Sequence, residues 1–204
     1  MDTSADVESP DVWADPAQER LGTPANVVTL VRTVASVVVA GVAVRGDSLP
    51  LLLVALGLYW AGDLLDGVVA RVLRCESRVG AVLDILADRT CAAAFYVGLV
   101  WYDADLVWPV LVYLVEFMVV DAYLSLAFLS WPVRSPNYFY VVDRPLWLWN
   151  WSKPGKAANS AMFAVILLLT GNVPLGLAIA TALLVLKCAS LVRLMRLGLP
   201  IPAH

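Results

Sequence analysis

Four aspartates interrupt apolar stretches of the chain, Asp63 and Asp66 in one and Asp84 and Asp88 in the next. Helical positions three and four apart share a face. Asp63, Asp66 and Ala70 therefore line one side of one helix, and Gly80, Asp84 and Asp88 one side of the following helix. With a turn near residues 74 to 79 the two helices run antiparallel, and Asp63 stands as far from the turn as Asp88, and Asp66 as far as Asp84. Carboxylates gathered at equal depth cannot all stay ionised without cations. An all-oxygen donor set suits hard divalent ions, magnesium or manganese, and two such ions can clamp the attacking and leaving oxygens of a phosphoryl transfer. Gly67, Ala70 and Gly80 leave room beside the carboxylates, and the Arg71 guanidinium suits a phosphate. The only histidine is His204, at the last position, and Cys75, Cys91 and Cys188 show no paired spacing, so neither a zinc site nor a disulfide framework is indicated.

The elements that must hold these carboxylates are membrane helices. Of 204 residues, 61% are hydrophobic and 15% charged, with a mean hydropathy of +0.79, whereas soluble domains are about 45–50% apolar. Fourteen Lys and Arg against 17 Asp and Glu leave no basic excess for nucleic acid. Crossing a hydrocarbon core of about 30 Å takes roughly 20 helical residues. Six stretches qualify, at about 26–45, 50–73, 79–102, 106–130, 157–171 and 174–195, the fifth being short. The expected fold is all-α, a polytopic membrane protein of six transmembrane helices occupying residues 25–198, with a tail over 199–204.

Residues 1–24 form an acidic N-terminal region that lacks the positive start of a secretory signal and reads as a flexible tail. Within it, Val12, Trp13, Ala17 and Leu21 give a weak helical pattern, expected as a helix on the membrane surface, with disorder as the alternative. Arg71, Arg74 and Arg78, then Arg134, Arg144, Lys153 and Lys156, then Arg193 and Arg196 mark the cytoplasmic side, so both termini and the carboxylates are expected to face the cytoplasm. Lys187 is expected to snorkel, and the tryptophans to form an interfacial belt. Glu116 and Asp121, inside the fourth span, have no evident partners in the sequence.

Asp63-Leu-Leu-Asp66-Gly67-Val-Val-Ala70-Arg71, followed after eight residues by Gly80, then Asp84 and Asp88, resembles at all eight positions the signature DxxDGxxARx8GxxxDxxxD of the CDP-alcohol phosphatidyltransferases. The six spans and the surface helix are also similar to that family's fold. The resemblance implies an enzyme of phospholipid biosynthesis, a homodimer in the bacterial plasma membrane that uses two magnesium or manganese ions. It would transfer a phosphatidyl group from CDP-diacylglycerol to an alcohol and release CMP. Carried over by position, it implies that Asp63, Asp66, Asp84 and Asp88 bind metal, that Asp88 also takes the proton of the attacking hydroxyl, and that Gly67, Ala70, Arg71 and Gly80 contact the CDP moiety. Asn26-Val-Val-Thr29-Leu-Val-Arg32 is similar to the family's first-helix pattern NxxTxxR, which adds Asn26 and Thr29 to the CDP contacts.

For the acceptor, Ser152-Lys153-Pro154-Gly155-Lys156 resembles the SxxGKxKT segment of phosphatidylglycerophosphate synthases, departing where Ala158 and Asn159 replace Lys and Thr. Glycerol 3-phosphate is the first expectation and inositol phosphate, as in the actinobacterial phosphatidylinositol phosphate synthases, the next. Arg134, Lys153, Lys156 and Arg193 would bind its phosphate. A six-helix divalent-cation transporter, or a catalytically silent metal-binding membrane protein, is the alternative, although neither needs the Gly, Ala and Arg of the signature.

Overall fold

The structure, a computed structural model, describes residues 12–198 and Pro200. The expected tail over residues 1–11, most of the C-terminal tail and His204 lie outside the described residues. Three long helices begin at hydroxyl caps: α1 (Pro24–Arg45) after Thr23, α2 (Leu49–Val72) after Ser48 and α3 (Arg78–Tyr102) after Ser77. Each hydroxyl accepts the backbone N–H three residues on, meeting one of the donors a helix start leaves unpaired. Pro24 and Pro50 sit in first turns, where a missing N–H costs nothing. α1 packs along both α2 and α3, so the two aspartate-bearing helices share one neighbour.

The rest of the chain wraps this trio. Val107–Val115 (α4), a π-turn at Glu116–Val120 and Asp121–Leu126 (α5) form one continuous rod. Arg144–Asn150 (α6) follows a 3₁₀ segment at Pro136–Val141. Lys153–Lys156 (α7), a second π-turn at Ala157–Ala161 and Met162–Thr170 (α8) form a second rod, and Val173–Leu197 (α9) closes the bundle. Among the described residues, four stretches are long and apolar enough to cross a membrane: Pro24–Arg45, Leu49–Val72, Ala104–Ser130 and Val173–Leu197. The other two expected spans do not meet that measure on their own, because α3 carries Asp84, Asp88 and Arg89 and because α8 is short.

Three expectations are corrected. Residues 12–21 do not form a surface helix. Trp13 makes an isolated antiparallel bridge to Val133, with Ala14 N–H donating to Pro132 O and Arg134 N–H to Val12 O, and only Pro16–Gln18 is helical. The Glu19 carboxylate then accepts the backbone N–H groups of Arg78 and Val79, each at 3.0 Å, at the start of α3. Backbone pairing with the 131–151 segment thus replaces helical bonding.

Lys187 does not snorkel. It is 1% exposed and donates to Asp121 at 2.7 Å and Asn150 at 2.9 Å. The tryptophans also divide: Trp101 and Trp108 are exposed, but Trp151 is buried against Phe139 in a second core with Phe128, Leu146 and Leu194. The 131–151 segment is therefore folded protein rather than a surface belt.

Candidate active site

Arg32 of α1 is the hub of the aspartate cluster. Its Nε donates to Asp66 Oδ2 at 2.7 Å, its Nη2 donates to Asp84 Oδ1 at 2.6 Å and Asp88 Oδ1 at 2.9 Å, and Asp63 Oδ1 lies 3.6 Å away. Thr29, one turn earlier, places its hydroxyl 2.9 Å from Asp66 Oδ2. Helical spacing on α1 therefore aims Thr29 and Arg32 at the same carboxylate. The close approach depends on Gly62, where a Cβ would lie 2.5 Å from Arg32 Cβ and 2.6 Å from Arg32 Cδ. Gly80 serves Asn26 in the same way, since a Cβ there would lie 2.9 Å from Asn26 Oδ1. The Asn26 amide is fixed by donating to the carbonyls of Arg20 and Leu21.

One guanidinium against four carboxylates leaves an excess of negative charge. Asp63, Asp66 and Asp84 each offer a carboxylate oxygen, all within 4.8 Å of one another. The donor atoms are oxygens only and the local charge is negative, which fits a hard divalent cation and not a soft one.

All eight signature residues line one cavity of about 690 Å³: Asp63, Asp66, Gly67, Ala70, Arg71, Gly80, Asp84 and Asp88. Asn26 and Thr29 join them from α1, and Arg134, Lys153 and Lys156 bring positive charge to the same wall. Arg134 is held there by donating through Nε to the Trp13 carbonyl at 2.7 Å. Arg193 is not brought to the cavity. Its guanidinium makes a two-pronged pair with Asp143, both bonds at 2.9 Å, and packs over the Trp149 ring. Burial works to raise the pKa of Asp143, but the bonds from Arg193 and from the Leu146 N–H outweigh it and hold this carboxylate below its ordinary range.

The cavity lining also holds a second charged group that the sequence did not reveal. Asp121 accepts from Arg89 Nη2 at 2.6 Å and from Lys187 Nζ at 2.7 Å, and Lys187 also donates to Asn150. Arg89, Asp121, Asn150 and Lys187 all line the cavity. The available sequence signal was the presence of ionisable residues in three different apolar stretches, which bilayer energetics tends to drive together. Arg32 carried a clearer signal, standing at the third position of NxxTxxR, one helical turn beyond Thr29.

A family model described as CDP-alcohol phosphatidyltransferase matches residues 23–193. Among curated proteins the chain is similar to a phosphatidylinositol phosphate synthase of Mycobacteroides abscessus, 38% identical over 95 residues, covering 42% of this chain and 39% of that protein. It is also similar to a protein of the same name from Mycobacterium tuberculosis, 34% identical over 118 residues, covering 50% of each. The chain thus spans half or less of the length of these curated relatives. No solved structure matches it at comparable significance. The family match runs over most of the chain, and the eight residues of the sequence signature line one cavity between long apolar helices: the chain belongs to the CDP-alcohol phosphatidyltransferase family of enzymes.

Proposed function

We propose that this enzyme transfers the phosphatidyl group of CDP-diacylglycerol to a hydroxyl of an inositol phosphate, releasing CMP, as a step of phospholipid synthesis. The observation that carries this reading is the meeting, in one cavity, of the complete signature with Arg134, Lys153 and Lys156. The name of the relatives puts inositol phosphate ahead of glycerol 3-phosphate. The departure at Ala158 and Asn159 from the glycerol 3-phosphate pattern points the same way.

Asp63, Asp66, Asp84 and Asp88 would hold two magnesium or manganese ions. Once bound, such ions neutralise the diphosphate of the donor and favour departure of CMP. The acceptor oxygen attacks the phosphorus next to the diacylglycerol; an O–P bond forms, the P–O bond to CMP breaks, and the hydroxyl proton passes to the Asp88 carboxylate. Asp88 suits that task because Arg32 Nη2 fixes one of its oxygens at 2.9 Å, so the carboxylate has a defined orientation before an acceptor arrives. Asn26, Thr29, Gly67, Ala70, Arg71 and Gly80 form the wall for the CDP moiety, and Lys153, Lys156 and Arg134 supply the cations for the acceptor phosphate.

Six crossings follow if α3 is also within the bilayer, its charges facing the cavity instead of lipid, and if α7 and α8 together make the fifth. Both termini and the cavity mouth would face the cytoplasm of a bacterial plasma membrane, by the placement of Lys and Arg, and the working unit would be a homodimer. Purified protein given CDP-diacylglycerol, magnesium and a panel of alcohols should release CMP with inositol phosphate. CMP release with glycerol 3-phosphate alone would overturn the acceptor assignment.

A further inference from the structure

Asn159 stands at the point where the chain leaves the glycerol 3-phosphate pattern, and the structure gives it a place in the cavity wall. It lies on the π-turn Ala157–Ala161, is 6% exposed, and donates through Nδ2 to the Trp149 carbonyl at 3.0 Å. That bond fixes the amide orientation, because the reversed amide would set its oxygen against a carbonyl. Its Oδ1 is consequently buried with no hydrogen-bond partner. A buried amide oxygen left unpaired forfeits the bond it made with water, so the position favours any ligand that brings a donor.

The neighbouring wall is held to the same turn of α6. Lys187 donates to Asn150, the residue after Trp149, and Asn150 Nδ2 donates to Ser190 Oγ at 3.0 Å. An ammonium has three N–H groups, and two of those on Lys187 are matched with Asp121 and Asn150. Two residues that line the cavity thus carry buried, unused hydrogen-bonding capacity, an acceptor on Asn159 and a third N–H on Lys187. A phosphate can use donors only, and a metal ion acceptors only. A hydroxyl group both donates and accepts, so hydroxyls match such a wall better than either.

We propose that Asn159 is a specificity-determining residue whose Oδ1 accepts a hydrogen bond from one hydroxyl of a polyol acceptor, leaving the acceptor phosphate to Lys153 and Lys156. This rests on the acceptor being a phosphorylated polyol, as set out above, and assigns the residue that reads its hydroxyls. The test is a cycle of kcat/KM values for the parent enzyme and Asn159→Ala, each with inositol phosphate and with the set of its monodeoxy analogues, at saturating CDP-diacylglycerol and magnesium.

In the parent, removal of one particular hydroxyl should lower kcat/KM about tenfold, the effect of leaving a buried acceptor unmatched. Asn159→Ala should lose a similar factor with inositol phosphate and lose almost nothing more when that hydroxyl is absent. The KM for CDP-diacylglycerol should stay within about twofold throughout. Equal penalties for every deoxy analogue in the parent and in Asn159→Ala would overturn the proposal while leaving the function intact. So would a donor KM that rises with the acceptor KM, the sign of a purely structural role. A parent inactive with inositol phosphate would overturn the acceptor assignment and this proposal together.

Discussion

At the scale of single residues, the chemistry turns on how one guanidinium is shared among four carboxylates. Asp88 is proposed to take a proton, and general-base catalysis by a positioned group contributes about 10²–10⁴-fold in rate. Asp88→Asn keeps the volume and removes the base, so turnover should fall by at least about a hundredfold, while CDP-diacylglycerol binding, measured by magnesium-dependent thermal stabilisation, should largely survive. Near-parental turnover would sink the assignment. Gly62 gives an independent check on Arg32. A methyl group there lies 2.5 Å from Arg32 Cβ, too close for either atom to stay, and overpacking of this kind costs about 1–3 kcal/mol. Gly62→Ala should therefore lower both Tm and turnover, whereas Gly57→Ala, with nothing within 4 Å of the added methyl and a helix interior that favours Ala over Gly, should leave turnover unchanged and not lower Tm. The four aspartates were legible in the sequence because helical periodicity places each pair on a shared face, and the family resemblance added Gly67, Ala70, Arg71 and Gly80 as expected nucleotide contacts. Arg32 as the hub was not, because its partners lie 31 to 56 positions away and a periodic pattern does not say which helix faces which.

At the scale of elements, the long helices were legible from hydropathy, and the connections between them were not. Residues 12–21 carry a helical pattern of apolar side chains, but the bonds that decide their form run to Pro132 and Arg134 and to the start of α3. Lys187 reads as a snorkelling lysine until α9 is packed against α5, when Asp121 becomes its partner. Arg193 shows the same lesson, since the positive charge expected in the acceptor site is matched instead with Asp143, tying α9 to the first turn of α6. Lys156→Ala should thus raise the KM for inositol phosphate about tenfold by removing a charge-assisted contact. Arg193→Ala should leave that KM nearly fixed and lower Tm. The Asp143 clasp also carries a pH signature. Its folded-state pKa is depressed, so its stabilisation is fully present above the unfolded value of about 3.9 and is lost as pH falls through the lower folded value. Asp143→Asn should melt below the parent at pH 7, and the difference should close in acid below about pH 4. A gap that stays constant between pH 7 and pH 3 would contradict the clasp.

At the scale of the whole molecule, two charged groups line one cavity. The first, on α1 to α3, gathers carboxylates around Arg32; the second joins Arg89 of α3 to Asp121 and Lys187. Ionisable side chains inside a bilayer are tolerated where they pair with one another or line a cavity, and these do both. α3 contributes to both groups, Asp84 and Asp88 to the first and Arg89 to the second, so the helix that fails the hydropathy measure is the one both charged groups share. The sequence showed the class of fold and, through local periodicity, the aspartate pairs, and hid the second charged group because it forms only when α3, α5, α6 and α9 meet. The central claim is that this cavity supports transfer of a phosphatidyl group from CDP-diacylglycerol to inositol phosphate. It is tested most directly by incubating the purified protein with both substrates and magnesium and quantifying CMP together with the lipid product. The account predicts equal amounts of CMP and phosphatidylinositol phosphate, formed only when both substrates are present and abolished by chelation of the metal. No CMP above background, from protein that binds CDP-diacylglycerol and beside an active relative, would contradict it.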